Sequence, residues 1–141
     1  MYEKWKSRAF PYKIRTKCEH IFFTPREGGR MEETMQNEYE LKKLMCDIGK
    51  RIYDRNMVAA NDGNISVKLN DNEFLCTPTG VSKGFMTPDF ICKVDAQGNV
   101  IQANKGFRPS SEIKMHMRVY QKRPDVGAVV HAHPTFATSF A

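Results

Sequence analysis

The chain has 141 residues, of which 40% are hydrophobic and 27% are charged, as in one globular domain large enough to bury a core. No apolar run approaches the roughly 20 residues of a membrane-spanning helix, and the basic N-terminus lacks the apolar segment of a secretory signal, so we expect no membrane partner. Of the net charge of +6, +5 falls within residues 1–30, and the nearly neutral remainder argues against a nucleic-acid partner.

Residues 1–30 show no sustained helical or strand periodicity. The last of them, REGGR before Met31, can be encoded by purines alone, as in the ribosome-binding site that precedes a bacterial start codon. We therefore interpret residues 1–30 either as a leader ahead of a true start at Met31 or as a disordered basic extension. Pyrimidine-rich codons at positions 26–30 would exclude the leader.

From residue 32 onward the pattern is that of regular secondary structure. Apolar residues at helical spacing predict a helix over about 34–56, with acidic residues early and basic residues late. Runs of β-branched and aromatic residues around short polar turns predict two hairpins, whose strands pair antiparallel. The other predicted elements are strands at 65–69, 73–77, 90–95 and 100–102, a helix that Ser110 or Ser111 caps and that ends near 122, a strand through 127–134, and the start of another helix.

The predicted strand GAVVHAHP at 127–134 carries two histidines within an apolar run. Alternate side chains of a strand share a face, so His131 and His133 are expected on one face, about 7 Å apart along the strand. Two imidazoles in this arrangement can hold a metal ion if other donors converge on them. On its own the pattern leaves a metal site and a structural pair equally open.

Three further motifs offer polar groups at loops. DGNIS (62–66) places Gly and Asn where a turn feeds a strand, and TPTG (77–80) offers hydroxyls on a flexible backbone. PSSE (109–112) places two hydroxyls, free amide groups and a carboxylate at a helix start, which is suited to an anion. Taken singly, each motif is more often only a turn or a helix cap.

Together, GNIS, TPTG, PSSE and HAHP in this order resemble the class II aldolase/adducin family over about residues 36–141. The resemblance implies an α/β fold with a mostly antiparallel central sheet and helices on both faces. It also implies a homotetramer when the protein is full-length. Within the family, the motifs are most similar to those of aldolases that act on L-fuculose 1-phosphate.

The resemblance also implies roles for individual residues. Such aldolases hold Zn²⁺ with three histidines, and His131 and His133 match the two from the strand. Glu112 matches the catalytic acid/base, which also lies close enough to serve as a metal ligand. The residues that match the cradle of the substrate phosphate are Asn64, Thr79, Gly80, Ser110 and Ser111.

The implied reaction is cleavage of a phosphorylated ketose, of the L-fuculose 1-phosphate type, to dihydroxyacetone phosphate and an aldehyde. Two alternatives remain open. Pentulose-phosphate 4-epimerases of the same fold typically have aspartate at the position of Glu112, and non-catalytic adducin-like interaction modules generally lack the histidine ligands. Neither departure is present in this chain, so the aldolase interpretation is favoured.

One expected element of the family is missing from the sequence. The third histidine ligand should follow residue 141, and nothing in the chain clearly replaces it. We therefore expect residues 31–141 to be the N-terminal portion of a class II aldolase-like domain whose C-terminal part is missing, and we expect this fragment to be inactive alone.

A few chemically capable residues receive a structural interpretation. His116 shares a helix face with Glu112 and is expected to be packed or to support the site rather than to bind a metal. Lys83 is within reach of a phosphate, but we expect a solvated loop lysine. The four cysteines are far apart and show no CxxC spacing, which favours reduced thiols and a cytoplasmic location.

Overall fold

The computed structural model describes residues 15–17, 20–23 and 33–140. Two 3-10 turns, Lys83–Phe85 and Pro88–Phe90, connect the fourth and fifth strands. The helices are α1 (Glu33–Asp54), α2 (Ile113–Lys122) and α3 (Thr135–Ser139), and the strands are β1 (Arg15–Lys17), β2 (His20–Phe23), β3 (Asn64–Lys68), β4 (Glu73–Cys76), β5 (Cys92–Asp95), β6 (Val100–Gln102) and β7 (Ala128–His131).

The described strands form one sheet in the order β1-β2-β7-β3-β4-β5-β6. Every neighbouring pair is antiparallel, and the two predicted hairpins are β3–β4 and β5–β6. β7 pairs with β3, although the two strands lie more than 50 residues apart in the chain. This pairing sets His131 directly opposite Asn64 at one end of the sheet.

Helices cover both faces of the sheet. Alternate strand residues point to opposite sides, and the buried apolar residues on each side pack against a helix. Ile65 and Leu75 pack with Met45 of α1 on one face. Phe74 and Val129 pack against α2 on the other face. The predicted fold class, α/β with a mostly antiparallel sheet and helices on both faces, is confirmed.

The first helix matches its prediction to within two residues at each end. α1 has 22 residues and ends at Asp54, shortly before Asn56, whose φ of 55° lies in the left-handed region that commonly ends helices. Among the described helices, none has both the length and the apolar character needed to cross a bilayer.

β1 and β2 fall within residues 1–30, where the sequence showed no strand pattern. They have three and four residues, which is too short for a period-two pattern to stand out. β2 pairs with β7. The remainder of residues 1–30 lies outside the described residues, so the interpretation of this range as a leader or extension stays a prediction.

Candidate active site

Three polar side chains from three elements meet at the end of β3. Asn64 is the first residue of β3, Glu112 immediately precedes α2, and His131 ends β7. The Nδ2 group of Asn64 donates a hydrogen bond to Oε2 of Glu112. Nδ1 of His131 lies 3.1 Å from the same oxygen and 3.3 Å from Nδ2 of Asn64. The carboxylate therefore bridges the sheet and the helix.

Glu112 is held in its ionised form by these contacts. Partial burial alone would raise its pKa, but the hydrogen bond from Asn64 and the interaction with His131 outweigh it, so the pKa lies below the usual value. The side chain stays 46% exposed, so a substrate can reach the carboxylate. An ionised, accessible and oriented carboxylate is suited to accept a proton.

The two histidines lie beside each other, although not both in the strand. β7 ends at His131, and the amide of His133 donates to the carbonyl of Met57 at 2.9 Å, in the connection that follows α1. The expectation that both histidines lie in the strand is therefore wrong for His133. The ring centroids are nevertheless only 4.6 Å apart, so the chain turns without separating the imidazoles.

The donor set at this point fits a zinc ion in part. Two adjacent imidazoles and a nearby carboxylate are groups that zinc accepts. Within the part of the chain that the structure describes, however, no group of three His, Cys, Asp or Glu side chains is arranged to hold a metal ion. His131, His133 and Glu112 thus supply the chemistry of a partial site, and a complete site needs another donor.

Asn64 makes a contact in this site that the sequence did not predict. It is only 2% exposed, and among the described residues its Oδ1 has no hydrogen-bond partner. Its Nδ2 group donates to Glu112, the last residue of the PSSE segment. The observed contacts make Asn64 an orienting group for Glu112, and its contact with phosphate stays a prediction.

The other predicted phosphate ligands lie on two adjacent segments. The amide of Thr79 donates to the carbonyl of Arg108, and the amide of Ser110 donates to the carbonyl of Thr77. These bonds place TPTG beside PSSE, with Thr79, Gly80 and Ser111 exposed. Gly80 has a φ of 71°, which favours glycine there. The structure therefore brings Thr79, Gly80, Ser110 and Ser111 to one edge, which is formed by the neighbouring segments TPTG and PSSE.

Two details of the helix start differ from the prediction. The residue at the N-cap of α2 is Glu112, without a side-chain capping bond, so neither Ser110 nor Ser111 is the cap. The hydroxyl of Ser110 instead accepts from the amide of Glu112 at 3.3 Å. The amide of Ser110 is occupied by Thr77, so it is not one of the free amide groups expected for an anion.

A buried polar group that the motifs did not reveal lies behind Glu112. The hydroxyl of Ser66 lies 2.7 Å from Nδ1 of His116 and 2.8 Å from the hydroxyl of Tyr120. His116 is a buried residue of α2 that faces β3, which confirms its structural interpretation. The sequence held a signal: Ser66 follows Asn64 by two on the strand, and His116 follows Glu112 by four on the helix.

Lys83 corrects a prediction. It is 1% exposed, not solvated, and its ammonium donates to the carbonyls of Val81 and Asn61. Burial lowers its pKa, and the charge of Asp62 opposes that effect.

Residues 43–141 match the family profile described as Class II Aldolase and Adducin N-terminal domain. This range includes most of α1, every later element and all of the candidate site residues.

Individual relatives agree with the family and differ in their reactions. The chain is 39% identical over 94 residues to L-fuculose phosphate aldolase of Methanococcus maripaludis, covering 67% of this chain and 49% of that protein. It is 37% identical over 100 residues to 3-oxo-tetronate 4-phosphate decarboxylase of Haemophilus influenzae, covering 71% of this chain and 46% of that protein.

A solved structure, L-fuculose 1-phosphate aldolase from Glaciozyma antarctica PI12, has a similar fold. The TM-score is 0.72 at 21% identity, over 81% of this chain and 48% of that chain. The chain thus spans about half the length of the relatives that it matches.

Proposed function

Because the chain belongs to the class II aldolase and adducin family, we propose that its complete gene product is a zinc-dependent aldolase in which Glu112 is the acid/base. The substrate is a phosphorylated ketose of the L-fuculose 1-phosphate type, and the products are dihydroxyacetone phosphate and an aldehyde. The observation that carries this proposal is the ionised Glu112 carboxylate, oriented by Asn64 beside His131.

His131 and His133 hold the zinc ion together with a further donor, for which a histidine after residue 141 is expected. Zinc supplies Lewis acidity toward the substrate carbonyl. Glu112 accepts the proton of the hydroxyl on the carbon that becomes the aldehyde, and after the carbon–carbon bond breaks it gives that proton to the carbon beside the carbonyl, so the same carboxylate acts as base and then as acid. Asn64 fixes the direction of that carboxylate.

The phosphate of the substrate binds at the edge formed by Thr79, Gly80, Ser110 and Ser111. Hydroxyls and oriented backbone amides can hold an anion without an arginine, because their dipoles supply the positive potential. Binding at this edge presents the reacting carbons to Glu112, since Ser110 and Glu112 are joined through the amide–hydroxyl contact.

A decarboxylase is a second candidate, since the chain is nearly as similar to the Haemophilus influenzae decarboxylase as to the aldolase. Loss of CO₂ from a 3-oxo acid breaks a carbon–carbon bond beside a carbonyl, as ketose cleavage does. The same zinc, carboxylate and phosphate cradle therefore suit both reactions, and the group that leaves differs.

The test uses the complete gene product, purified and analysed for zinc. Aldehyde release from L-fuculose 1-phosphate, abolished by a chelator and restored by zinc, would support the aldolase. CO₂ release from 3-oxo-tetronate 4-phosphate without aldehyde release would replace it with the decarboxylase, and epimerisation of ribulose phosphate would replace it with the epimerase. A folded protein with neither zinc nor turnover would favour the adducin-like module.

We also propose that the complete gene product is a cytoplasmic homotetramer, as the family resemblance implies. Cys46, Cys76 and Cys92 are free thiols, which agrees with a reducing compartment. Light scattering coupled to gel filtration would give the mass of the assembly, and a monomer would contradict the proposal.

A further inference from the structure

Lys83 is a fully buried lysine, and a buried ammonium requires partners because it loses its hydration. Its Nζ donates to the carbonyl oxygen of Val81 at 2.6 Å and to that of Asn61 at 3.2 Å. The local backbone does not need a lysine here, because the 3-10 turn at 83–85 is capped by Ser82, whose hydroxyl accepts from the amide of Gly84.

The two carbonyls belong to separate segments that adjoin or contain predicted site residues. Asn61 lies in the turn 59–63, which runs directly into Asn64. Val81 lies in the loop 77–84, directly after Thr79 and Gly80. The ammonium group therefore connects the loop 77–84, to which Lys83 itself belongs, to the turn 59–63, and we refer to these two hydrogen bonds as the Lys83 clamp.

Lys83 itself is fixed on α1 by close packing. A Cβ at Gly49 would lie 2.7 Å from the carbonyl oxygen of Lys83, and a Cβ at Gly84 would lie 2.5 Å from the ring of Tyr53. Only glycine permits these two approaches. The clamp therefore connects the loops to the longest described helix of the domain.

The turn on the other side of the clamp is strained. Ala60 has a φ of 42°, which is uncommon for a residue with a Cβ, and such strain persists only where surrounding contacts fix the backbone. Gly63, with a φ of 72°, packs against the carbonyl of His131, where a Cβ would lie 2.8 Å away. Lys83 and β7 thus hold the turn 59–63 from two sides.

We propose that Lys83 is a positioning residue of the anion site, which fixes the turn 59–63 against the loop 77–84 and places a buried positive charge between them. This inference rests on the proposed function in assigning the substrate phosphate to the edge that contains Thr79 and Gly80 of the loop 77–84. A preformed cradle binds phosphate without the entropic cost of ordering two loops, and a buried cation attracts an anion more strongly than a solvated one does.

The test compares Lys83→Met, which keeps the length of the side chain without its charge or donors, with Lys50→Met. Lys50 is an exposed lysine on α1 that pairs with Asp54, so its replacement removes the same charge from the surface. The probe is inorganic phosphate, titrated by calorimetry and, where turnover is present, as a competitive inhibitor. We expect Lys83→Met to weaken phosphate binding about tenfold and to raise KM similarly, with kcat within about twofold.

Unchanged phosphate binding in a folded Lys83→Met variant would overturn the inference, and so would an equal loss in Lys50→Met. If Lys83→Met does not fold, Lys83→Gln takes its place, because it retains an amide donor without the charge, and unchanged phosphate affinity there would also overturn the inference. A wild-type protein that binds phosphate but cleaves no ketose would contradict the proposed aldolase and leave the effect of Lys83 on phosphate measurable.

Discussion

The two faces of the central sheet are built from different chemistry, although the same strands supply both. On the α1 face, the side chains that pack the sheet against the helix form an apolar cluster centred on Met45, Ile65 and Leu75, and buried Lys83 lies in a loop outside that cluster. On the α2 face, apolar residues share the interface with buried Asn64, Ser66 and His116. β3 shows the contrast within one element. Ile65 packs in the apolar cluster on the α1 face, whereas its neighbours Asn64 and Ser66 contact Glu112 and His116 on the α2 face.

The polar face gains its geometry from a match between two spacings. Two residues along a strand advance about 6.6 Å, and four residues along a helix advance about 6 Å. Asn64 and Ser66 on β3 can therefore meet Glu112 and His116 at the same time. The apolar cluster on the α1 face contributes burial without directional contacts, whereas the α2 face fixes the register of the helix and so the direction of Glu112.

The largest effect that separates the faces is expected for Glu112→Gln in the complete gene product. The amide keeps the shape of the side chain but cannot accept a proton, so turnover should fall by a factor of about 10²–10⁴. Zinc content and the free energy of unfolding should change little, because Glu112 is partly exposed.

Glu40→Gln on α1 is the matched control, since Glu40 is an exposed carboxylate paired with Lys43. Steady-state kinetics and metal analysis measure both variants. Near-wild-type turnover of Glu112→Gln would remove this carboxylate from the proposed mechanism.

The contrast also explains how far the sequence alone could lead. The two hairpins, α1 and α2 were predicted from periodicity, turn residues and helix-start residues, and the motifs marked Glu112 and His131 as site residues. Periodicity could not predict that β7 pairs with β3, because that pairing joins residues far apart in the chain. The contact of Ser66 with His116 could not be predicted either, because it requires α2 to pack on β3, and these two elements are also far apart in the chain.

Lys83 was mispredicted for a different reason. A lysine in a loop rich in glycine and proline is usually solvated. The burial of Lys83 depends on two backbone carbonyls, those of Val81 in the same loop and of Asn61 in another segment. No residue type in the sequence signals a carbonyl acceptor, because every residue has one. Buried cations held by backbone are thus difficult to predict from side-chain patterns.

On the apolar face, Leu75→Ala should lower the free energy of unfolding by about 2–5 kcal/mol, since it leaves a cavity in a fully buried position. Leu75→Met, which conserves volume, should cost less than about 1.5 kcal/mol. Urea denaturation measures both. If the apolar cluster acts only through burial, the phosphate affinity of folded Leu75→Ala should equal that of the wild type, and a large loss would show that this cluster, and not Lys83 alone, positions the anion site.

On the polar face, Ser66→Ala should cost about 1–3 kcal/mol, because His116 and Tyr120 each lose the hydroxyl that they contact. It should also lower kcat, since the register of α2 directs Glu112. Ser66→Thr, which restores a hydroxyl, should recover part of both. A double-mutant cycle with Glu112→Gln separates the two effects: when Ser66→Ala is combined with Glu112→Gln, the further loss of kcat should disappear, while the loss of stability should remain.

The smallest effect is expected at the rim of the α1 face, where Glu38 pairs with Lys42 and with Lys93 of β5. Burial alone would raise the pKa of Glu38, but the hydrogen bonds from Lys93 and Lys42 outweigh it and lower the pKa from its ordinary value of 4.5. A carboxyl with a lowered pKa in the folded state contributes stability above its unfolded pKa and loses that contribution as the pH falls through the folded value. Glu38→Gln should therefore reduce the free energy of unfolding by up to about 1 kcal/mol at pH 7. The difference from wild type should vanish in urea titrations at pH values below the lowered pKa, and a difference that persists there would assign the effect to packing instead of charge.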